Sequence, residues 1–373
     1  MNPVKQIGTC GQSIWLDFLS RDLIESGSLR RLIGEDGISG ITTNPSIFEK
    51  AVRGGSRYDA LIGKLAESGC SSRDIYRHLV LRDVADAADL LRPVHEKTGG
   101  RDGFVSLEVS PHLAHDSEAT VAEARSLWQA LQRPNVLIKV PATAAGLAAV
   151  RRLIAGGVNV NVTLLFGLER YRQVQDAWLA GLEDRRAAGR SVEHAPVSVA
   201  SFFLSRIDTL VDALLEQQAE NTGDAAAMLR LRGETAIACA HLAYDSWRRL
   251  IAGGRFRTLA GHGAGPQRLL WASTSTKNPA YPDVKYVEAL IGPDTVNTLP
   301  LETLQAYRDH GAPAVRLTGA ADPARALLDE LQRHGIDLQA VAAQLEREGV
   351  RKFADAYDQL LDGLEQKCTE ISI

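Results

Sequence analysis

Lys139 stands in the segment Asn-Val-Leu-Ile-Lys-Val-Pro, residues 135–141, where one ammonium-bearing side chain interrupts an apolar run that reads as a buried strand. An amine is the nucleophile that makes imines with carbonyl compounds. At an ordinary pKa of about 10.4 a lysine is almost wholly protonated at neutral pH. Desolvation that lowers it by about three units, worth roughly 4 kcal/mol, gives a useful neutral fraction. For this segment alone a second reading stays open, in which the lysine snorkels to the strand end or pairs with a carboxylate.

Other polar residues hold equivalent places in other strand-like segments. Alternate side chains of a strand point to opposite faces. In residues 158–164, Val158, Val160, Val162 and Leu164 make one face, leaving Asn159, Asn161 and Thr163 on the other. Ile14, Leu16 and Phe18 likewise oppose Trp15 and Asp17. Val105, Leu107 and Val109 oppose Ser106 and Glu108, and Val136, Ile138 and Val140 oppose Leu137 and Lys139. If the apolar sets face helices, Asp17, Glu108, Lys139, Asn161 and Thr163 all project into one interior, each near the end of its strand. Each has a bland alternative: Asp17 caps a turn, Glu108 serves only as an ion-pair partner for Lys139, and the asparagines satisfy loop backbone. For all five together that alternative weakens, because polar groups in a packed interior each cost about 1 to 3 kcal/mol unless partnered.

The elements that must position these residues are eight short strands separated mostly by helical stretches. The strands are expected at residues 14–18, 40–43, 104–109, 136–140, 158–164, 197–200, 269–273 and 295–298. Amphipathic patterns lie between them at 121–131, 147–155 and 204–218. The clearest is Ile237, Ala240, Tyr244, Trp247 and Ile251, one face of a helix. Such alternation predicts an α/β fold, a parallel (β/α)8 TIM barrel, in which catalytic groups gather at the C-terminal ends of the strands. The long gap between the second and third strands predicts extra helices, including 58–65 and 75–91. The polar stretch Gln217 to Gly223 reads as a loop between two helices, and residues 323–334 and 338–364 as terminal helices. One domain over residues 1–373 is expected, with about 320–373 a C-terminal helical extension packed on the barrel.

Composition narrows the function classes. The chain has 373 residues, 45% hydrophobic and 24% charged, which is enough for a large core. A net charge of −4 gives no basic footprint for nucleic acid or an anionic membrane, so any cations that bind phosphate must be local. Cys10, Cys70, Cys239 and Cys368 are far apart with no C-x-x-C pair, which suggests neither zinc nor a disulfide framework and fits a reducing cytoplasm. The first residues lack the features of a signal peptide, and no apolar run reaches the length of a membrane span.

With these motifs assembled, the chain resembles the transaldolase family. The matching strings are Gly-Ile-Thr-Thr-Asn-Pro-Ser-Ile (40–47), Ser-Leu-Glu-Val (106–109), Leu-Ile-Lys-Val-Pro-Ala-Thr (137–143) and Asn-Val-Asn-Val-Thr-Leu-Leu-Phe (159–166). The similarity runs from about Trp15 to the C-terminal helices. It implies a pentose phosphate pathway transferase that moves a dihydroxyacetone unit from sedoheptulose 7-phosphate to glyceraldehyde 3-phosphate, giving erythrose 4-phosphate and fructose 6-phosphate. No metal or organic cofactor is implied. By the same resemblance Lys139 forms the imine and Asp17 exchanges the proton of the C4 hydroxyl. Glu108, with a water held by Thr163, shuttles protons as the carbinolamine loses or gains water. Thr43, Asn44, Asn161, Ser201 and Ser273 belong to the shell that holds the sugar.

Arg206, in Ser-Phe-Phe-Leu-Ser-Arg, matches the family's phosphate-binding arginine. After the seventh strand the pattern departs: shorter members carry Ser-x-Arg, whereas this chain reads Trp-Ala-Ser-Thr-Ser-Thr-Lys-Asn-Pro, residues 271–279. Lys277 is the expected second cation, with less geometric control over a phosphate than a bidentate arginine has. His112 and His115 read as a loop pair short of a third metal ligand. Gly261 to Gly265 is a weak phosphate-loop candidate without a preceding strand. Tyr244 and Trp247 read as core packing, and Cys368 as an exposed thiol. Two other functions stay open: a Schiff-base aldolase that releases dihydroxyacetone, and a barrel kept as a non-catalytic interaction protein. A homodimer would follow from an exposed apolar helix face, which periodicity cannot separate from packing within one chain.

Overall fold

The computed structural model describes residues 2–193, 196–220 and 225–371. Eight strands close into a barrel in chain order: β1 (Ser13–Leu16), β2 (Gly40–Ile41), β3 (Phe104–Glu108), β4 (Val136–Pro141), β5 (Val160–Leu165), β6 (Ser198–Phe203), β7 (Arg268–Ala272) and β8 (Val296–Leu299). All neighbours are parallel, and β8 closes on β1 with Ser13 opposite Val296. The fold is the expected (β/α)8 barrel, and each strand overlaps its expected segment. The helices Pro45–Arg53, Asp59–Glu67 and Ser72–Lys97 fill the gap between β2 and β3.

Local chemistry explains where these elements begin. β2 is only two residues long because the chain turns at once into a helix. Asn44 caps it, its side-chain oxygen accepting from the Ile47 N–H at 3.1 Å, and Pro45 occupies the first turn. The 26-residue helix Ser72–Lys97 starts with a reciprocal capping box between Ser71 and Asp74. The N-terminal end of the barrel is plugged by Asp102, which accepts from Ser13 Oγ at 2.6 Å, Trp15 Nε1 at 3.0 Å and Arg268 at 2.9 Å. Gly40 is required there, since a Cβ would lie 2.5 Å from the Trp15 ring.

The C-terminal helix Leu338–Ile371 has 34 residues and packs on the helices Pro45–Arg53, Asp59–Glu67 and Ser72–Lys97 and on the end of β5. At 1.5 Å per residue it spans about 50 Å. Gly349 lets it come close to β5, because a Cβ would already stand 3.1 Å from Leu164. Among the described residues, no helix is long and apolar enough to cross a membrane.

Several expectations need correction. Leu164 does not continue the helix-facing set: the β5–β6 register shifts between Val162 and Leu165, and Leu164 takes a left-handed φ of 57°. Such a bulge re-aims side chains beside a site. Phe18 lies past the end of β1 and lines the barrel mouth rather than facing helices. Gln217 to Ala219 belong to the helix Ser205–Ala219, and residues 221–223 of the expected loop lie outside the described residues. Cys368 is half-buried against the core rather than an exposed thiol. Tyr244 and Trp247 are core residues, stacked with ring centroids 5.6 Å apart.

Candidate active site

The register of three adjacent strands brings the reactive groups to one level: Glu108 pairs across to Lys139, and Lys139 to Asn161. Lys139 is only 5% exposed. Its Nζ donates to Glu108 Oε1 at 2.5 Å and to the Thr43 carbonyl at 2.6 Å. The other Glu108 oxygen accepts from Thr43 Oγ1 at 2.8 Å. Burial pushes the Glu108 carboxyl above its usual range, with Lys139 the largest influence in the opposite direction. The ion-pair reading of Glu108 and the catalytic reading therefore describe the same contact.

Asp17 sits just beyond β1, half-buried, and accepts from Thr42 Oγ1 at 2.7 Å. Thr42 Oγ1 lies 2.7 Å from Thr298 Oγ1. Because Thr42 spends its one hydroxyl proton on Asp17, Thr298 is the donor to Thr42. Burial raises the Asp17 carboxyl, opposed by the charge of Lys139 and the Thr42 hydrogen bond. A carboxyl raised toward neutrality can both take and return a proton.

These groups open onto a cavity of about 510 Å³ at the C-terminal ends of the strands, lined among others by Asp17, Asn44, Lys139, Thr163, Ser201 and Ser273. Its cations are Lys50, Lys139, Arg206, Lys277 and Lys352, against the acids Asp17 and Glu302. A chain of net charge −4 thus presents a basic mouth, a field that attracts anions. Arg206 is half-buried and makes no ion pair among the described residues; burial lowers its pKa, opposed by Glu348. Lys277 Nζ donates to Ser275 Oγ at 2.7 Å. Ser273 takes a left-handed φ of 55°, and its Oγ lies 2.9 Å from Ser205 Oγ, tying the end of β7 to the helix that carries Arg206.

Beside Lys139 lies a small cavity of about 20 Å³, lined by Glu108, Thr163, Leu164, Val350 and Phe353 among others. A water needs about 10 to 15 Å³ and two or more polar partners. Thr163 Oγ1 is buried there without a hydrogen-bond partner. The bulge at Leu164 makes this arrangement, since it turns two consecutive residues of β5 toward one space.

Thr43 and Asn161, expected in the shell that holds the sugar, do not line the large cavity. Thr43 is fully buried beneath Lys139 and Glu108. Asn161 is also fully buried; its Nδ2 donates to Ser106 Oγ at 3.1 Å and its Oδ1 accepts from Ser201 Oγ at 2.6 Å. Asn159 takes the bland role, fastening the Pro134 and Val136 carbonyls and the Val197 N–H at the start of the strands. His112 pairs with Asp358 of the C-terminal helix at 2.7 Å, and no metal-holding cluster occurs among the described residues. Sequence reasoning missed Thr42, Thr298, Glu302, Lys352 and Phe353. Thr42 lay inside the Thr-Thr-Asn-Pro-Ser string, whereas Lys352 and Phe353 come from the last helix and carried no local signal.

A family model described as transaldolase/fructose-6-phosphate aldolase matches residues 14–364. The chain belongs to this family. It is 48% identical over 361 residues to a transaldolase of Thiobacillus denitrificans, covering 97% of this chain and 99% of that one. It is 49% identical to transaldolase 1 of Streptomyces coelicolor, over 96% and 93% of the two chains. With a transaldolase of Trichodesmium erythraeum the identity is 44%, over 100% and 99%. Relatives of that identity and coverage make the protein a transaldolase, an enzyme of the transferase class.

Proposed function

We propose that the chain carries dihydroxyacetone from sedoheptulose 7-phosphate to glyceraldehyde 3-phosphate through an imine on Lys139, as a cytoplasmic enzyme of the pentose phosphate pathway. The observation that carries this reading is the buried Lys139–Glu108 contact beside a space for one water. Lys139 must give up a proton before it attacks the donor ketone, and the raised Glu108 carboxyl is the acceptor 2.5 Å away. Attack gives a carbinolamine. Its hydroxyl leaves as water with a proton from Glu108, into the space beside the unpartnered Thr163 hydroxyl.

Cleavage of the C3–C4 bond sends electrons to the iminium nitrogen while Asp17 takes the proton of the C4 hydroxyl. Asp17 later returns it to the acceptor aldehyde oxygen. The Thr298–Thr42 chain orients the Asp17 carboxylate for both steps. Asn44 spends its oxygen on the helix cap, which leaves its amide nitrogen to donate to a sugar hydroxyl. Ser201 reaches the sugar from β6, while Asn161 and Thr43 act through the groups they hold. Arg206 and Lys277 meet the phosphate as charge-assisted donors. Retention of the three-carbon unit separates transfer from an aldolase that releases dihydroxyacetone, and the relatives' names favour transfer. The four free cysteines fit a reducing cytoplasm.

Borohydride added with fructose 6-phosphate is expected to leave a reduced three-carbon adduct on the Lys139 peptide, and Lys139→Ala to abolish it. An unchanged mass in the native protein would refute the reading.

A further inference from the structure

Behind Glu108, on the side away from the substrate mouth, lies a cleft of about 400 Å³ between the helices Ser72–Lys97 and Ser117–Leu131. It reaches solvent at the exposed Arg73, Asp74 and Ala122. Its inner end is formed by Leu107 to Pro111 of β3 and the turn after it. Glu108, Val109 and Pro111 line both this cleft and the one-water cavity beside Lys139. At the inner end Ser110 is 4% exposed, and its Oγ is buried without a hydrogen-bond partner. Its N–H donates to Glu123, another wall residue, at 2.6 Å. An orphaned hydroxyl and a carboxyl at the inner end of the cleft are the partners a bound water needs.

We propose that this cleft is a second entrance to the catalytic centre, one that carries water and protons to and from Glu108 while the sugar fills the mouth. The proposal rests on the imine reading above. Each turnover must release a water as the imine forms and take one up as it is hydrolysed. In hydrolysis the water oxygen bonds to the iminium carbon, the C=N electron pair returns to nitrogen, and Glu108 takes one water proton. That proton passes to the carbinolamine nitrogen. The hydroxyl proton then moves to Glu108 as the C–N bond breaks, leaving the ketone and the free amine. Finally the proton on Glu108 passes to Lys139, restoring the observed pair. At both water steps a whole sugar phosphate occupies the mouth, whereas the rear cleft needs no opening of the substrate site. Burial and the Glu108 charge push the Tyr76 phenol well up, so a neutral hydroxyl flanks the passage.

The test fills the cleft from its outer wall. Ala122→Trp and Ala119→Leu enlarge side chains on the lining helix without touching the catalytic groups, and Ser110→Ala removes the hydroxyl at the inner end. Two rates are read with fructose 6-phosphate: the approach to the borohydride-trapped adduct, and the uptake of heavy oxygen from labelled water into the ketone. The expected result is a several-fold loss in both rates for the filled variants, a smaller loss for Ser110→Ala, and an unchanged final amount of adduct. Damage to the site would instead lower the final amount, and that result overturns the proposal. So do filled variants that exchange oxygen at the native rate, since water would then use the mouth. A native protein that forms no adduct overturns the imine reading and the entrance together, whereas native rates in the filled variants overturn the entrance alone.

Discussion

Lys139→Met keeps a long apolar side chain and removes the ion-pair partner of Glu108, leaving that carboxylate, whose side chain is 7% exposed, with the Thr43 hydroxyl. Breaking a buried pair from one side typically costs about 3 to 5 kcal/mol, because the remaining charge is uncompensated. For 373 residues, an unfolding entropy of about 2.1 cal/mol/K per residue gives about 0.8 kcal/mol/K, so the melting temperature should fall by roughly 4 to 6 °C. The sign with pH follows from linkage. Glu108 is already raised in the native protein, and losing Lys139 takes away the largest influence that lowers it. A carboxyl raised in the folded state contributes stability that is fully present below its unfolded value and is lost as pH rises through the folded value. The deficit of Lys139→Met relative to native protein should therefore grow as pH rises through the raised Glu108 value and shrink as pH falls toward the ordinary carboxylate range. Adding Glu108→Gln to Lys139→Met should restore most of the loss, since no lone charge then remains. Calorimetric melts of the native, single and double variants across that range provide the assay. A Lys139→Met deficit that is absent, or that does not change with pH, would refute the pairing argument.

The phosphate clamp and one buried carboxyl give two further expectations. Arg206→Gln and Lys277→Gln should each raise KM for glyceraldehyde 3-phosphate about tenfold or more, at 1.5 to 3 kcal/mol for a hydrogen bond to a charged group. Unphosphorylated glyceraldehyde should be unaffected, and equal losses on both aldehydes in steady-state kinetics would count against the clamp. Asp208, which accepts from the Ala236 N–H and the Tyr286 hydroxyl, is pushed by burial from 3.8 up to about 6. That raised value destabilises the native state progressively as pH climbs from about 4 to about 6, by about 3 kcal/mol. Asp208→Asn should gain on the native protein in melting temperature over that window; a constant difference would show that Asp208 does not titrate there.

Much of this was legible because strand alternation is a local property. Asn159, Asn161 and Thr163 set against Val158, Val160 and Val162 reveal which face is polar without any knowledge of neighbours. The same rule failed at Leu164, because a bulge is decided by how β5 pairs with β6 and by the close approach of Gly349. The family resemblance sets Thr43 and Asn161 in the sugar-holding shell; which partners they take, Glu108, Ser106 and Ser201, is decided by packing across the barrel. Hydrogen-bond partners across a barrel are far apart in sequence, so a residue's type says that it needs a partner but not which one it finds.

By itself the sequence determined the eight-strand alternation, the inward lysine with its two carboxyl residues, and the family's motifs, since periodicity, caps and residue chemistry are written along the chain. Only the tertiary structure decided that Glu108 and Lys139 stand at one register level, and that Lys352 and Phe353 of the last helix reach the mouth. The bulge that shapes a one-water space beside Thr163, and the cleft that approaches Glu108 from behind, are likewise decided only there. The physical reason is closure. Register, burial and cavity shape arise when strands and helices distant in the chain pack against one another, and no single segment holds that information.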